Sequence, residues 1–254
     1  LPNIDNSQFE SKVALITGGN SGIGKETALA FAQRGANVVI AARREAESVE
    51  TLDLITATGA RAEFVKTDVS DEAQVEAMVA QAVKVFGRLD FAFNNAAITG
   101  NATPFDEYPR EVWDQVISVN LTGTWLCMQS EIRHMKTNGG GSIVNTTSIS
   151  AHRGSPNLPA YSVSKWGVIG MTKAAAKGYG RYGIRVNAVS PGHTETPMLG
   201  LNDGEERLNA LIEQYPLGRI GQPNDIAEAV IWLSSDSASF ITGVSLPVEG
   251  GIIA

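Results

Sequence analysis

The stretch "TGGNSGIGKETALAFAQRGA", residues 17–36, decides how this chain is read. Four glycines, Gly18, Gly19, Gly22 and Gly24, crowd in just ahead of an alanine-rich helical pattern. Glycine is about 1 kcal/mol worse than alanine inside a helix, so bare backbone must serve another purpose here. The preceding "KVALITG" (12–18) reads as a buried strand, and a helix is expected over about 22–34. Between a strand and a helix, such a turn suits a pyrophosphate. Unpaired amides and the positive end of the helix dipole point out of it, and ligands of open α/β sheets sit beyond the carboxyl ends of the strands. Gly18 and Gly22 let the backbone turn and approach a ligand, and Gly24 lets the helix pack close to the strand.

Outward from that turn, β-type runs alternate with helical patterns almost to the end. Strands are expected at "ANVVIAA" (36–42), "RAEFVKTD" (61–68), "LDFAFNN" (89–95), "GSIVNTTS" (141–148), "GIRVNAVSPG" (183–192) and "VSLPVEGG" (244–251). Helices are expected over about 45–58, 70–87, 109–135, 159–179 and 224–235. In the second of these, Val75, Met78, Val79, Ala82 and Val83 form an apolar stripe, with Ser70 as the expected cap and Gly87 as the stop. Strands apolar on both faces and separated by helices indicate a parallel sheet covered on both sides. No linker or repeat interrupts the alternation. The expected architecture is one α/β domain over 1–254, with residues 1–11 as an N-terminal extension and 193–218 as a flexible substrate-binding loop.

Composition narrows the class. The chain is 43% hydrophobic with no apolar run near the roughly 20 residues that span a bilayer. The opening "LPNIDNSQFESK" lacks the basic-then-apolar order of a signal peptide. A single cysteine, Cys127 in "TWLCM", precludes an intrachain disulfide and reads as a core filler, which suits a cytoplasmic setting. A net charge of -7 argues against a nucleic-acid surface. The three histidines, His134, His152 and His193, are dispersed, so no metal site is expected. His152, four residues after Ser148, is a candidate for the substrate pocket.

"YSVSK" (161–165) has its own chemical logic. Tyr161 and Lys165 are four apart and share a helix face. A phenol near pKa 10 is a weak base at neutral pH, and a neighbouring ammonium favours its ionised form. A tyrosine so poised can give a proton to a carbonyl oxygen or take one from an alcohol. A hydroxyl such as Ser148, at a strand's carboxyl end, can hold the same oxygen in place. An ordinary surface tyrosine–lysine pair explains "YSVSK" equally well when it is taken alone.

Together, "TGGNSGIG" (17–24), "NNAA" (94–97), "SVNLTG" (118–123), "IVNTTS" (143–148), "YSVSK", "RVNAVSPG" (185–192) and "ITGVSLPVEGG" (241–251) resemble the short-chain dehydrogenase/reductase family across most of the chain. Ala97 stands where that family has glycine. The resemblance implies a Rossmann-type doubly wound sheet of about seven strands in the order 3-2-1-4-5-6-7. It implies Tyr161 as general acid/base and Lys165 as the group that lowers its pKa and holds the nicotinamide ribose. Ser148 would orient the substrate carbonyl, and Asn120 would support a proton relay through water. Implied cofactor contacts in the turn are Gly18, Asn20, Ser21, Gly22, Ile23 and Gly24. Those around the adenosine are Arg43, Asp68 and Val69. Asn94 and Ala96 would brace the cofactor bed, and Tyr161, Lys165, Pro191, Gly192, Thr194 and Thr196 would meet the nicotinamide half.

The second strand ends "VVIAARRE" (38–45), with no carboxylate at Ala42 and Arg43 directly after it. An acidic residue there bonds the ribose 2′-hydroxyl of NAD, whereas arginine accommodates the 2′-phosphate of NADP. The expectation is therefore NADP(H) over NAD(H), in an enzyme interconverting a ketone and a secondary alcohol. A 3-oxoacyl-carrier-protein reductase and a non-catalytic NADP-binding regulator remain the alternatives. Met198, Leu199 and Leu201 suggest an apolar lid over a hydrophobic ketone. Trp113, Val116 and Trp125, with the helix after Tyr161, resemble the helices that pair subunits in the family, so a homotetramer is expected.

Overall fold

The computed structural model describes residues 7–200 and 205–254. Seven strands form one parallel sheet in the order β3-β2-β1-β4-β5-β6-β7, as expected. They are β1 (Val13–Thr17), β2 (Asn37–Ala42), β3 (Ala62–Lys66), β4 (Phe91–Asn94), β5 (Gly141–Thr146), β6 (Ile184–Pro191) and β7 (Ser245–Val248). The central strands are buried end to end because each face has its own core. In β1, Val13 and Leu15 join one core while Ala14 and Ile16 join the other, the period-two alternation of a strand covered twice.

On one face lie α1 (Gly22–Ala32), α2 (Glu45–Thr56) and α9 (Pro223–Ser234). Helix α9 presents Ile226, Ala227, Val230 and Ile231 to this core, and both carboxylate oxygens of its Glu228 accept from Arg34 Nη2 at 2.8 Å. Phe9 packs its ring 4.8 Å from Phe91 and 5.4 Å from Phe31, and so joins this core.

The other face carries α3 (Glu72–Phe86), α4 (Arg110–Ile117), α5 (Gly123–Met135) and α7 (Pro159–Tyr179). Cys127 is buried in this core, as expected of a filler. The cap of α3 is Asp71, whose carboxylate accepts from the Gln74 amide at 3.1 Å. Ser70, the residue expected there, turns back to bond Asp68 at 2.6 Å. The helical pattern over 109–135 is two helices joined by a π-helical turn at Ser118–Thr122. The expected helices over 22–34 and 45–58 each stop two residues early, at Ala32 and Thr56.

Short α6 (Ser150–Arg153) follows β5 at the carboxyl edge of the sheet. Between β6 and α9, the stretch expected as a flexible loop contains α8 (Glu205–Ile212) and a 3-10 turn at Pro197–Leu199. Leu201, one of the three expected lid residues, lies outside the described residues. Among the described residues, no helix is long and apolar enough to cross a membrane.

Candidate active site

The glycine turn lies at the carboxyl edge of the sheet and is pinned from both sides. The Gly18 amide donates to Ala41 at 2.7 Å. Asn95, directly after β4, donates its side-chain amide to the Thr17 carbonyl at 3.2 Å, while Thr17 Oγ1 accepts from the Asn95 and Ala96 amides at 3.0 and 3.1 Å. Gly18 has φ +65, and a Cβ there would come within 3.0 Å of Asn95 Nδ2. A Cβ on Gly24 would collide with the Gly18 carbonyl oxygen, so only glycine lets the helix start this close to the turn. Ser21 precedes α1 without a side-chain cap, so the first amides of the helix stay open. That cradle fits a dinucleotide pyrophosphate.

The turn opens into a cleft of about 1030 Å³ along the carboxyl ends of the strands. Gly18, Asn20, Ser21 and Ile23 line it, as do Arg43, Asp68, Val69 and Ala96. Further along its walls stand Ser148, Tyr161 and Lys165, then Pro191, Gly192, Thr194 and Thr196. Gly22 and Gly24 lie behind that wall: a Cβ on Gly22 would meet Thr196 Cγ2 at 3.0 Å, so glycine lets the segment after β6 pack onto the turn.

Two expected residues act from beneath. Asn94 is buried and donates to Glu131 Oε2 at 3.0 Å and to Asn145 Oδ1 at 3.1 Å, bracing β4 against α5 and β5. The cleft wall at that strand end is Asn95. Asn120 sits in the π-helical turn, fully buried; it accepts from the Ile98 amide at 2.9 Å and donates to the Ile98 carbonyl at 2.8 Å and to Ser164 Oγ at 3.2 Å. Its side chain is therefore committed to fixing the cleft wall at Ile98 and the first turns of α7. Its backbone carbonyl accepts from Thr124 Oγ1 at 2.7 Å.

Ser148 and Tyr161 face each other, close enough for the serine hydroxyl to act on the phenol. Burial pushes the Tyr161 phenol above its ordinary range, and the Ser148 hydroxyl pulls it back in part. Lys165 is buried, with its ammonium 5.6 Å from the centre of the Tyr161 ring and donating to the Thr146 carbonyl at 2.8 Å. Burial brings its pKa down to about 8. The expected depression of the Tyr161 pKa by Lys165 does not hold in the protein alone: burial dominates the tyrosine, and the lysine is aimed at a backbone carbonyl.

Beyond β2 a second arginine, Arg44, stands beside Arg43; the sequence pointed to a ligand role for Arg43 alone. Arg44 donates to Ser21 Oγ at 3.2 Å, and its carbonyl accepts from Asn20 at 3.3 Å. Arg43 lies 3.8 Å from Asp68, and its guanidinium is more than half exposed. Burial raises the Asp68 carboxyl, but hydrogen bonds from Ser70 and the Arg43 charge outweigh it and hold the pKa below its usual value. His152 does not face the cleft. Its Nε2 lies 2.9 Å from Ser190 Oγ on the far side of β6, and its neighbour Arg153 lines the cleft instead. Among the described residues, no cluster of histidine, cysteine and carboxylate side chains could hold a metal ion.

A family model described as "Enoyl-(Acyl carrier protein) reductase" matches residues 18–253. A cyclohexanol dehydrogenase from Acinetobacter sp. (strain SE19) is 41% identical, with 98% of each chain covered. A solved levodione reductase superposes with TM-score 0.93 at 37% identity, covering 96% of this chain and 98% of that one. An NAD+-bound xylitol dehydrogenase superposes with TM-score 0.92 at 33% identity, covering 96% of this chain and all of the other. The chain belongs to the short-chain dehydrogenase/reductase family. It is an oxidoreductase acting on an alcohol/carbonyl pair.

Proposed function

We propose that this protein transfers a hydride between NADP(H) and a ketone/secondary-alcohol pair of hydrophobic character. The observation that carries this reading is the convergence of Ser148, Tyr161 and Lys165 on the wall of the cleft into which the glycine turn opens. The glycine turn and open α1 terminus would hold the pyrophosphate, and Thr194 and Thr196 would meet the nicotinamide half. The bound nicotinamide supplies the hydride donor or acceptor. Ser148 hydrogen-bonds the substrate oxygen and fixes it beside the Tyr161 hydroxyl. In reduction Tyr161 gives its proton to that oxygen; in oxidation it takes the proton back. Lys165 contributes positive charge next to the ring, favouring the phenolate that proton donation leaves. Asn120 keeps Ile98 and the start of α7 in register, so it acts through position.

Arg43 supports NADP(H) over NAD(H). It is more than half exposed in the wall beyond β2, where it can turn from Asp68 toward a 2′-phosphate, with Arg44 beside it. Apolar residues at the other end, Ile98, Leu158, Met198 and Leu199, suit a hydrophobic substrate body. Half-exposed Trp125 on α5 and Trp166 on α7 support subunit pairing through these helices, as in a homotetramer. Light scattering tests that association. A buried lone thiol at Cys127 suits the reducing cytoplasm. The functional reading is tested by initial rates of NADPH and NADH oxidation over a panel of cyclic and linear ketones. NADPH-driven ketone reduction is expected; an absence of turnover across the panel contradicts it.

A further inference from the structure

We propose that the substrate carries a carboxylate remote from its reacting oxygen, and that Arg153 receives it. This rests on the oxidoreductase reading and adds the substrate's charge. Helix α6 starts two residues after Ser148 and is tied to it, the Ser150 amide donating to Ser148 Oγ at 3.1 Å. At about 1.5 Å per helical residue, Arg153 lies only some 7 Å along the chain from Ser148. An arginine rooted that close in the chain to Ser148 can serve a substrate whose oxygen Ser148 holds.

The Arg153 side chain lines the cleft, and no hydrogen bond or ion pair to its guanidinium forms among the described residues. It is aimed inward. The buried Tyr215 hydroxyl accepts from the His193 amide at 2.7 Å and lies 2.9 Å from His193 Nδ1, and the Arg153 charge acts on that same hydroxyl. Glu249 also faces Tyr215, but its carboxylate accepts from the Ile253 amide at 3.1 Å and lies outside the cleft wall. The carboxylate in the described wall is Asp68, at the opposite end beside Arg43. A guanidinium without an ion-pair partner among the described residues, in a cleft that also holds apolar Leu158, Met198 and Leu199, is a fork for a planar carboxylate.

The test compares 4-hydroxycyclohexanecarboxylate, its methyl ester and cyclohexanol as substrates of the wild type, Arg153→Gln and Arg153→Lys. The wild type is expected to prefer the acid over the ester by about tenfold or more in kcat/KM, through KM. Arg153→Gln brings that ratio close to one, and Arg153→Lys restores part of it. Equal use of acid and ester by the wild type, or a ratio that survives in Arg153→Gln, overturns the proposal. So does preference for a 3-oxoacyl thioester of a carrier protein, whose phosphate would then be the anion received. Calorimetry with cyclohexanecarboxylate in excess NADP+ decides the matter even without turnover. Tenfold weaker binding to Arg153→Gln upholds the anion site while the functional reading fails; equal binding overturns it.

Discussion

The ammonium of Lys165 is buried beneath Tyr161, 5.6 Å from the ring centre, with the Thr146 carbonyl 2.8 Å from it. It has no carboxylate partner among the described residues, and one carbonyl replaces little of the water it has lost. The charge is kept at the site at the expense of the fold.

That expense is measurable. Burial lowers the lysine from 10.5 to about 8, so between these values the unfolded chain binds the extra proton. Stability therefore rises with pH across that window and carries the full penalty below it, roughly 3 kcal/mol at pH 7. Lys165→Met should melt higher than the wild type at pH 7, and the gap should close toward pH 10.5. Its turnover should fall by about 10²-fold or more. Calorimetric melts across pH check the first expectation and steady-state rates the second. A variant less stable at every pH would show that the ammonium stabilises the fold.

Glu131 makes the reverse case. It is fully buried on α5, held on one oxygen by Asn94, with the other oxygen unpartnered among the described residues. Burial raises its pKa from 4.5 to about 7 against the opposing hydrogen bond from Asn94. In that window the folded state binds the extra proton, so stability falls as pH rises and stays low above it. The loss is roughly 3 kcal/mol by pH 8. Glu131→Gln keeps the shape and removes the ionisation. Its melting point should match the wild type near pH 4.5 and exceed it by about 5–10 °C at pH 8. A difference independent of pH would contradict this assignment.

On the proposed reading, Arg43 separates the two cofactors. Arg43→Ala should weaken NADPH binding by about 10- to 100-fold, the usual worth of charged hydrogen bonds, and change NADH binding little. Fluorescence titration of both reduced cofactors reads the ratio directly. Equal losses for both would make Arg43 a general electrostatic contact.

The fold was legible because its signals are local. Glycines before an alanine-rich helix, double-sided strands such as "VALIT" and the spacing from Ser148 to Tyr161 carry the sheet and most of the cleft wall. What escaped depends on rotation or on distant partners. His152 and Arg153 are neighbours on a helix of four residues, where one step turns a side chain by about 100°. Sequence alone does not set the phase of so short a helix. Nothing in the sequence marks Glu131 as buried; its partner Asn94 lies 37 positions earlier. The π-helical turn at Asn120 leaves the apolar pattern of the long helix intact, so its commitment to Ile98 shows only in three dimensions.

On the proposed function, Tyr161 moves the proton while the rest of the cleft holds cofactor and substrate. Single-turnover reduction of a cyclic ketone by NADPH, comparing wild type with Tyr161→Phe, tests it most directly, with NADPH affinity measured in parallel. Tyr161→Phe is expected to lose roughly 10²–10⁴-fold in rate, with NADPH affinity within a few-fold of wild type. Tyr161→Phe reducing the ketone at near wild-type rate would contradict it.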